Sequence, residues 1–314
     1  MAGAGDPRTG VFFWEFLCLV AAMSPRFLLL AALLTVRAFA DDYTRSIEDW
    51  RAARVARLTT PDGWLTLIGR HLLAPGTNTV GTAPDNSIKL ASGPPYLATV
   101  TLAADRKITL QPNPSALLEV DGVPTHHPAE LVVESEKPTK VTFGTASFYV
   151  MRRGEGLYLR VRDSAAAGRA HFAGLDYFPI DPAWRIEAAW VPFNPVRQVN
   201  ITNLIGVTEP APVPGRAVFT HQGHTVELLP IDEGGDDLFF VLTDLTAGED
   251  TYEASRFLYA PKPKAGETKV VLDFNRMQNP PCAFTAFATC PLPPKENRLP
   301  FRVTAGEKKY RGNH

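Results

Sequence analysis

From Trp64 onward, prolines and glycines divide the chain into short runs, and this division limits the fold more than any other feature. The 314 residues include 28 prolines and 23 glycines, and a proline removes a backbone donor and ends a helix. Between these breaks, apolar and polar residues alternate with a period near two, which is typical of strands. A helical period precedes them over residues 43–58. The sequence therefore predicts a mainly β fold that begins with one helix.

The predicted strands form two groups separated by a run of small residues. One group lies within residues 64–161 and the other within residues 185–274, and residues 164–168 between them include three alanines. Short strands with frequent turns are typical of sandwiches and barrels. We therefore expect a helix plus a β-sandwich over residues 41–163. Residues 169–314 are expected to form a second β-sandwich or barrel-like half, closed by a Pro-rich C-terminal loop.

The first forty residues have the pattern of a targeting segment. A basic residue, Arg26, precedes an apolar run over residues 27–36, and the small residues Ala38 and Ala40 suit a signal peptidase. The apolar run is too short to cross about 30 Å of hydrocarbon, which disfavours an uncleaved anchor. We predict a signal peptide over residues 1–40 with the true start at Met23, export to the periplasm or the medium, and no membrane span after cleavage. N-terminal sequencing tests this, because retention of residues 23–40 would contradict it.

Composition and motifs exclude several classes of function. With 45% hydrophobic residues and a formal net charge of -1, the chain has enough apolar material for a core and no basic excess for nucleic acid. It contains no Gly-rich phosphate loop, Gly-x-Ser-x-Gly elbow, His-Glu-x-x-His motif or dinucleotide fingerprint. Nucleotide-dependent and serine-hydrolase chemistry are therefore disfavoured. We predict no cofactor, no metal site and no nucleic-acid partner.

Three short stretches in the first half carry a resemblance to forkhead-associated domains. They are residues 76–81, residues 85–90 and the dipeptide Asp121-Gly122, and the resemblance implies a β-sandwich. The phosphothreonine-reading positions of that family are altered here. Thr82 stands where an Arg is expected, and Asp121 stands where an Asn is usual. The resemblance therefore supports the topology of a degenerate forkhead-associated sandwich and argues against phosphopeptide binding.

Residues 273–299, with 305–308, carry a second and more extensive resemblance. Around Asn279, Cys282, Cys290 and Asn297 the chain reads NPPCAF, then ATCPLPP, then EN. This pattern resembles the C-terminal signature of a bacterial family known as domain of unknown function 1684. Further matching stretches lie at residues 62–65, 160–163, 244–246 and 256–258. The family name implies relatives and no particular chemistry.

The same C-terminal segment contains five prolines between Pro280 and Pro294. Prolines fix φ and remove donors, so the segment cannot be a central strand or a regular helix. A stiff loop with polar residues at its ends is suited to binding, because little entropy is lost when a ligand is bound. It is equally suited to closing one end of a barrel as a plug. The candidate binding residues in this segment are Asp273, Asn275, Asn279, Glu296 and Asn297.

Arginines near the end of the first half form a second candidate group. Alternation places Arg160 and Arg162 on the same face of one strand, and Arg153 can join them across the Gly154 turn. Guanidinium groups on one face can bind an anion in a bidentate manner. The alternative is that these arginines form structural ion pairs with Asp163 and neighbouring acids.

Cys282 and Cys290 are separated by seven residues, and several interpretations remain open. An even number of cysteines in an exported chain favours a disulfide. A nucleophilic thiolate would need a base supplied by the fold, and the pair can also be two buried free thiols. Zinc is disfavoured because the spacing is not Cys-x-x-Cys.

The sequence predicts an exported all-β protein that binds a small polar or anionic molecule in a pocket formed by the C-terminal loop and the arginine-bearing strands. One alternative is an enzyme with hydrolase-like acid/base or thiol chemistry, using Asp273, Glu296, Glu307 or Cys282. Another is a structural module of the cell envelope. Neither the ligand nor the oligomeric state follows from the sequence.

Overall fold

The computed structural model describes residues 25–133 and 137–312, with side chains described from residue 41. Helix α1 (Pro25–Leu58) ends where the helical period ends and begins earlier than the predicted residue 43. The chain divides into two compact units within this helix, after Asp49. Residues 1–24 of the predicted signal peptide lie outside the described residues. In the part of the chain that the structure covers, no helix has the length and apolarity needed to cross a membrane.

The first half is a two-layer β-sandwich. Its strands are β1 (Leu67–Leu72), β2 (Gly76–Gly81), β3 (Ile88–Lys89), β4 (Ala98–Leu102), β5 (Ile108–Pro112), β6 (Glu119–Val120), β7 (Val123–Pro124), β8 (Ala129–Glu130), β9 (Val141–Phe143), β10 (Ala146–Arg153) and β11 (Gly156–Asp163). One sheet has the order β1-β11-β10-β9-β6-β7 and the other has the order β3-β2-β4-β5-β8. Apart from the parallel pair β2 and β3, these neighbours are antiparallel.

Alternation along the strands builds the core of this sandwich. Leu157, Leu159 and Val161 of β11 are buried against Val100 and Leu110 of the opposite sheet in one apolar cluster. The residues between them on β11 therefore project from the outer face of the six-stranded sheet.

The second half begins with a short helix, α2 (Ala167–Ala170). Its strands are β12 (Arg185–Thr202), β13 (Thr208–His221), β14 (His224–Leu228), β15 (Asp237–Leu242), β16 (Arg256–Pro261) and β17 (Lys269–Asp273). A four-stranded sheet has the order β14-β13-β12-β17, and β15 pairs with β16. Among the described residues the sheets do not close into a barrel, and the prediction of a mainly β fold is confirmed.

Strands β15 and β16 form a middle layer that is buried on both faces. Leu238, Phe240 and Leu242 pack in one core with the four-stranded sheet. Phe239 and Val241 face the other way and pack in a separate cluster with residues of the C-terminal segment. Burial on both faces explains why the sequence of β15 is continuously apolar and does not alternate between apolar and polar residues.

The C-terminal segment after β17 is irregular, as its prolines predict. Single 3-10 turns occur at Phe274–Arg276, Pro281–Ala283 and Lys295–Asn297. The second of them begins with Pro281, and proline at the first position of a turn costs no hydrogen bond, because the N–H at that position would have no partner within the turn. The Thr285 hydroxyl donates to the Leu67 carbonyl at 2.9 Å, and the backbone N–H of Leu292 donates to the Thr202 carbonyl at 2.8 Å. The segment is therefore bonded to both halves.

Candidate functional site

A cavity of about 450 Å³ lies where the outer face of β10 and β11, the strands of the second half and the C-terminal segment meet. Its polar lining consists of Arg54, Arg153, Arg160, Asn203, Glu209, Glu233, Tyr259, Gln278, Asn279 and Thr289, together with Cys290. Trp64, Ile201, Ile231, Phe239 and Phe257 supply the main apolar walls. A cavity of this volume is in the size range of small-molecule sites, and its lining is more polar than is usual for them.

Strand register places the two cavity arginines on one face. Arg160 lies opposite Tyr149, and Arg153 lies opposite Gly156 in the β10–β11 pair. Arg153 is four residues from Tyr149, and a strand returns to the same face every second residue, so all three side chains leave the same side of the sheet. That side is the outer face of the sandwich, which is here covered by the second half.

Arg160 is buried, with 7% of its surface exposed, and its orientation is fixed from two directions. Its guanidinium carbon lies 4.6 Å from the centre of the Trp64 ring, and its Nη1 donates to the Tyr149 hydroxyl at 3.1 Å. The Nε atom is buried without a hydrogen-bond partner. Cation–π stacking and one anchored nitrogen therefore hold the group rigidly while leaving a donor unused.

Arg153 is half-buried beside Arg160. Its Nε donates to the Thr289 hydroxyl at 3.0 Å, and its Nη1 donates to the Arg152 carbonyl at 2.9 Å. Burial, and then the positive charge of Arg160, lower the pKa of Arg153. Within residues 41–133 and 137–312, neither Arg153 nor Arg160 has an ion pair with a carboxylate. The wall of the cavity thus carries two close positive charges, and the Glu209 carboxylate, which also lines the cavity, partly opposes this effect by raising the pKa of Arg153.

Arg54, which also lines the cavity, is neutralised by Glu307. Its Nε donates to Glu307 Oε1 at 2.9 Å, and its Nη2 donates to the Asn279 carbonyl at 2.9 Å. The other carboxylate oxygen, Oε2, accepts from the Asn279 backbone N–H at 2.7 Å. Glu307 is fully buried, so this pair supports the cavity floor and leaves no net charge there.

Asn279 is the one residue of the predicted loop set that reaches the cavity. Its Nδ2 donates to the Lys308 carbonyl at 2.7 Å, which fixes the side-chain amide. Its Oδ1 is buried without a hydrogen-bond partner. Asn279 therefore lines the same cavity as Arg160, while the unpartnered atom of each residue is enclosed by protein.

The other predicted loop residues lie elsewhere. Asn275 is buried, with its Nδ2 donating to the Asp181 carbonyl at 2.8 Å. Asn297 bonds to the backbones of Leu229 and Val241. Asp273 forms an ion pair with Arg276 at 3.3 Å and lines a separate groove. Glu296 is half-buried in the turn Lys295–Asn297 and does not line the cavity.

Arg162 is on the same face as Arg160 and does not line the cavity. Its guanidinium lies 5.5 Å from the Trp64 ring centre, and its Nη1 donates to the carbonyls of Asp62 and Gly63. Asp163, the acid next to it, instead accepts from the Ala165 backbone N–H at 2.9 Å. Arg162 therefore fixes the loop that carries Trp64, and no ion pair with Asp163 is formed.

The two cysteines lie side by side as buried free thiols. The backbone N–H of Cys282 donates to Cys290 Sγ at 3.2 Å, and Cys290 lines the cavity. The disulfide stays a prediction. In the described part of the chain, no cluster of three His, Cys, Asp or Glu side chains is placed to hold a metal ion.

Sequence reasoning missed Trp64, Glu209, Glu233 and Thr289 as cavity residues. Trp64 lies in residues 62–65, which resemble domain of unknown function 1684, and that resemblance could have marked it as a candidate site residue. Glu209 accepts from the Gly154 backbone N–H at 3.2 Å across the two halves. No local pattern marks such a residue, because its position depends on packing between distant strands.

The comparison with protein families bears on the second half. Residues 170–308 match the family described as protein of unknown function (DUF1684). The predicted resemblance is confirmed over that range. The DUF1684 match includes Asn279, Cys282 and Cys290, whereas Arg153 and Arg160 precede it. The cavity is therefore built from the matched residues and the sandwich before them.

One solved structure with similarity to the chain is the solution NMR structure of an uncharacterized protein of Haloarcula marismortui. The identity is 27%, and the similarity covers 46% of this chain and 81% of that chain. The TM-score is 0.39, which is too low to support a conclusion about fold. The search of curated proteins found no match.

Proposed function

We propose that this protein binds a small anionic molecule in the cavity, with Arg153 and Arg160 holding the anionic group. The observation that carries the proposal is that these two neighbouring guanidinium groups, one buried and one half-buried, have no carboxylate partner among the described residues. Burying unpaired charge is costly. A bound anion would offset that cost for both arginines.

The arrangement of the site supports the same conclusion. Trp64 and Tyr149 orient the Arg160 guanidinium before any ligand arrives, so little ordering entropy is lost on binding. The positive charges of Arg153 and Arg160 lie on the same cavity wall and can attract one anionic group together. The ligand class is therefore a small anion.

Titration of the full-length protein with sulfate, phosphate and citrate tests this proposal by calorimetry and thermal shift. We expect at least one of these anions to raise the melting temperature, because a ligand that binds only the folded state stabilises it. Losing a hydrogen bond to a charged group costs about 1.5–3 kcal/mol, so Arg160→Met and Arg153→Met should raise Kd by about tenfold or more.

The matched control is Arg152→Met, which removes the same charge from an exposed neighbouring position on β10. We expect it to change Kd by less than about twofold, since exposed charges are strongly screened. Equal effects of Arg152→Met and Arg160→Met would show that binding reflects net charge rather than the cavity, and the proposal would fail.

The acid/base alternative gains no support from the arrangement of its candidates. Asp273 is paired with Arg276, Glu307 is enclosed with Arg54, and Glu296 does not line the cavity. None of the three predicted carboxylates therefore faces the cavity with a free oxygen. Export with cleavage before Asp41 is part of the proposal and rests on the sequence of residues 23–40.

A further inference from the structure

The cavity wall contains a pair of thiols that anion binding does not use. Cys290 lines the cavity, and Cys282 lies directly behind it. Both side chains are buried, with 4% and 6% of their surfaces exposed. Pro281 and Pro291 each adjoin one of these cysteines in the sequence, which restricts the backbone on both sides of the pair.

The surroundings of the pair favour one shared negative charge. A hydrogen bond between the thiols lowers the pKa of Cys282, and the same bond together with burial raises that of Cys290. The pair therefore loses one proton more readily than two. When the proton moves along this bond to Cys282, the thiolate on Cys290 is stabilised by the Cys282 backbone N–H at 3.2 Å and by the charge of Arg160.

We propose that Cys282 and Cys290 are a reactive dithiol that undergoes thiol–disulfide exchange with a small anionic disulfide bound in the cavity. The proposal rests on the proposed function for the recognition of the anion by Arg153 and Arg160. Three features meet at the cavity wall: a thiol that lines it, a second thiol within hydrogen-bond reach of the first, and the guanidinium groups of Arg153 and Arg160.

The exchange has two balanced steps. The Cys290 thiolate attacks one sulfur of the disulfide RSSR, forms a mixed disulfide with Cys290 and releases RS⁻. Cys282 then gives up its proton to the released thiolate, and its sulfur attacks Cys290. This second attack forms the Cys282–Cys290 disulfide and releases the second thiolate, so the protein is oxidised by two electrons and RSSR is reduced to two thiols.

Two disulfide reagents of different charge test the proposal. The protein is the reduced full-length chain with Cys18→Ser, because Cys18 lies outside the described residues and its thiol would add a background reaction. Dithiobis-nitrobenzoate is anionic, and dithiodipyridine is neutral. We expect the folded protein to release two thiol equivalents from either reagent and to end as an intramolecular disulfide without an adduct in the mass spectrum.

Arg160→Met should slow the reaction with the anionic reagent by about tenfold more than the reaction with the neutral reagent. Both reactions lose the charge that stabilises the Cys290 thiolate, but only the anionic reagent also loses a charge that binds the reagent itself. Cys282→Ser should stop the reaction at one thiol equivalent with a stable mixed disulfide on Cys290. Cys290→Ser should abolish the reaction of the folded chain. Far-UV circular dichroism and melting curves establish that each variant is folded.

Two results would overturn the proposal. One is a folded protein whose thiols react with neither reagent until it is denatured. The other is an Arg160→Met variant that slows both reagents equally. Sulfate titration of the Cys282→Ser/Cys290→Ser variant tests the proposed function separately from the thiol chemistry. If this variant still binds sulfate, and binding is lost when Arg160→Met is added, anion binding is supported even though the thiols do not exchange.

Discussion

Two buried arginines in this protein differ in whether a carboxylate neutralises their charge. The guanidinium of Arg256 donates to Asp244 Oδ2 at 2.6 Å and to the carbonyls of Val303 and Ala305. Asp244 therefore neutralises the buried charge of Arg256, as is normal for a buried charge, although the Nε of Arg256, like that of Arg160, has no hydrogen-bond partner. Arg160 has a stacking partner and one hydroxyl, and no described carboxylate. The same residue type thus stabilises the fold at one site and leaves a charge available at the other.

The Asp244–Arg256 pair gives a pH-dependent prediction. Burial raises the pKa of Asp244, but the charge of Arg256 and hydrogen bonds from Thr246 and Val303 outweigh it, so the pKa lies below the usual 3.8. A carboxylate with a lower pKa in the folded state stabilises the fold fully above the unfolded pKa. That contribution is lost as the pH falls through the folded pKa.

Asp244→Asn should lower the free energy of unfolding at pH 7 by about 3–5 kcal/mol, because it leaves the Arg256 charge buried and unpaired. The difference between variant and wild type should shrink between pH 4 and pH 2. Urea denaturation at pH 7 and at pH 3 measures it, and a difference that is constant with pH would contradict the assignment.

At the scale of elements, the C-terminal segment divides its polar residues between two tasks. Asn297 donates to the carbonyls of Leu229 and Val241 at 2.9 Å each and accepts from the Leu229 backbone N–H at 2.8 Å. Asn297 therefore connects the segment to the chain after β14 and to β15, which is what the plug interpretation of the loop expects. Asn279 lines the cavity, and the binding interpretation of the segment stays a proposal that uses this residue.

Asn297→Ala should lower the free energy of unfolding by about 3 kcal/mol, at about 1 kcal/mol for each of three lost hydrogen bonds. Kd for the anion, measured well below the melting temperature, should change by less than about twofold. Asn200→Ala, at an exposed position on β12, is the control and should leave stability within about 0.5 kcal/mol of wild type. Loss of anion affinity in Asn297→Ala without loss of stability would show that Asn297 acts at the cavity.

At the scale of the whole molecule, residues from Trp50 onward form one compact unit although they contain two large apolar cores. Hydrogen bonds connect the halves at Thr285 with Leu67, Arg153 with Thr289, and Glu209 with Gly154. The cavity lies among these connections, so its arginines and its thiol come from different halves. Opening either half would destroy the site.

Scanning calorimetry should therefore show one cooperative transition for this unit, with equal calorimetric and van't Hoff enthalpies. A bound anion should move the whole transition to higher temperature. Two resolved transitions, with only one of them shifted by the anion, would show that the halves unfold independently and that the cavity belongs to one of them.

The sequence by itself determined the features that depend on near neighbours in the chain. Alternation with a period near two set the strands and placed Arg160 and Arg162 on one face, and five prolines kept the segment after Asn279 irregular. The apolar residues of β15 also predict a strand at that position. These are local properties, because steric and hydrogen-bond limits act within a few residues.

Only the tertiary structure decided which face of each element is covered and by what. Arg160 reaches the cavity while Arg162 binds the carbonyls of Asp62 and Gly63. Asn279 lines the cavity, while Asn275 and Asn297, which are equally buried, bond to backbone groups elsewhere. The two arginines share one local pattern, and the three asparagines lie in one irregular segment. They differ in the distant residues packed against them, and the free energy of that burial is set by contacts between strands far apart in the sequence.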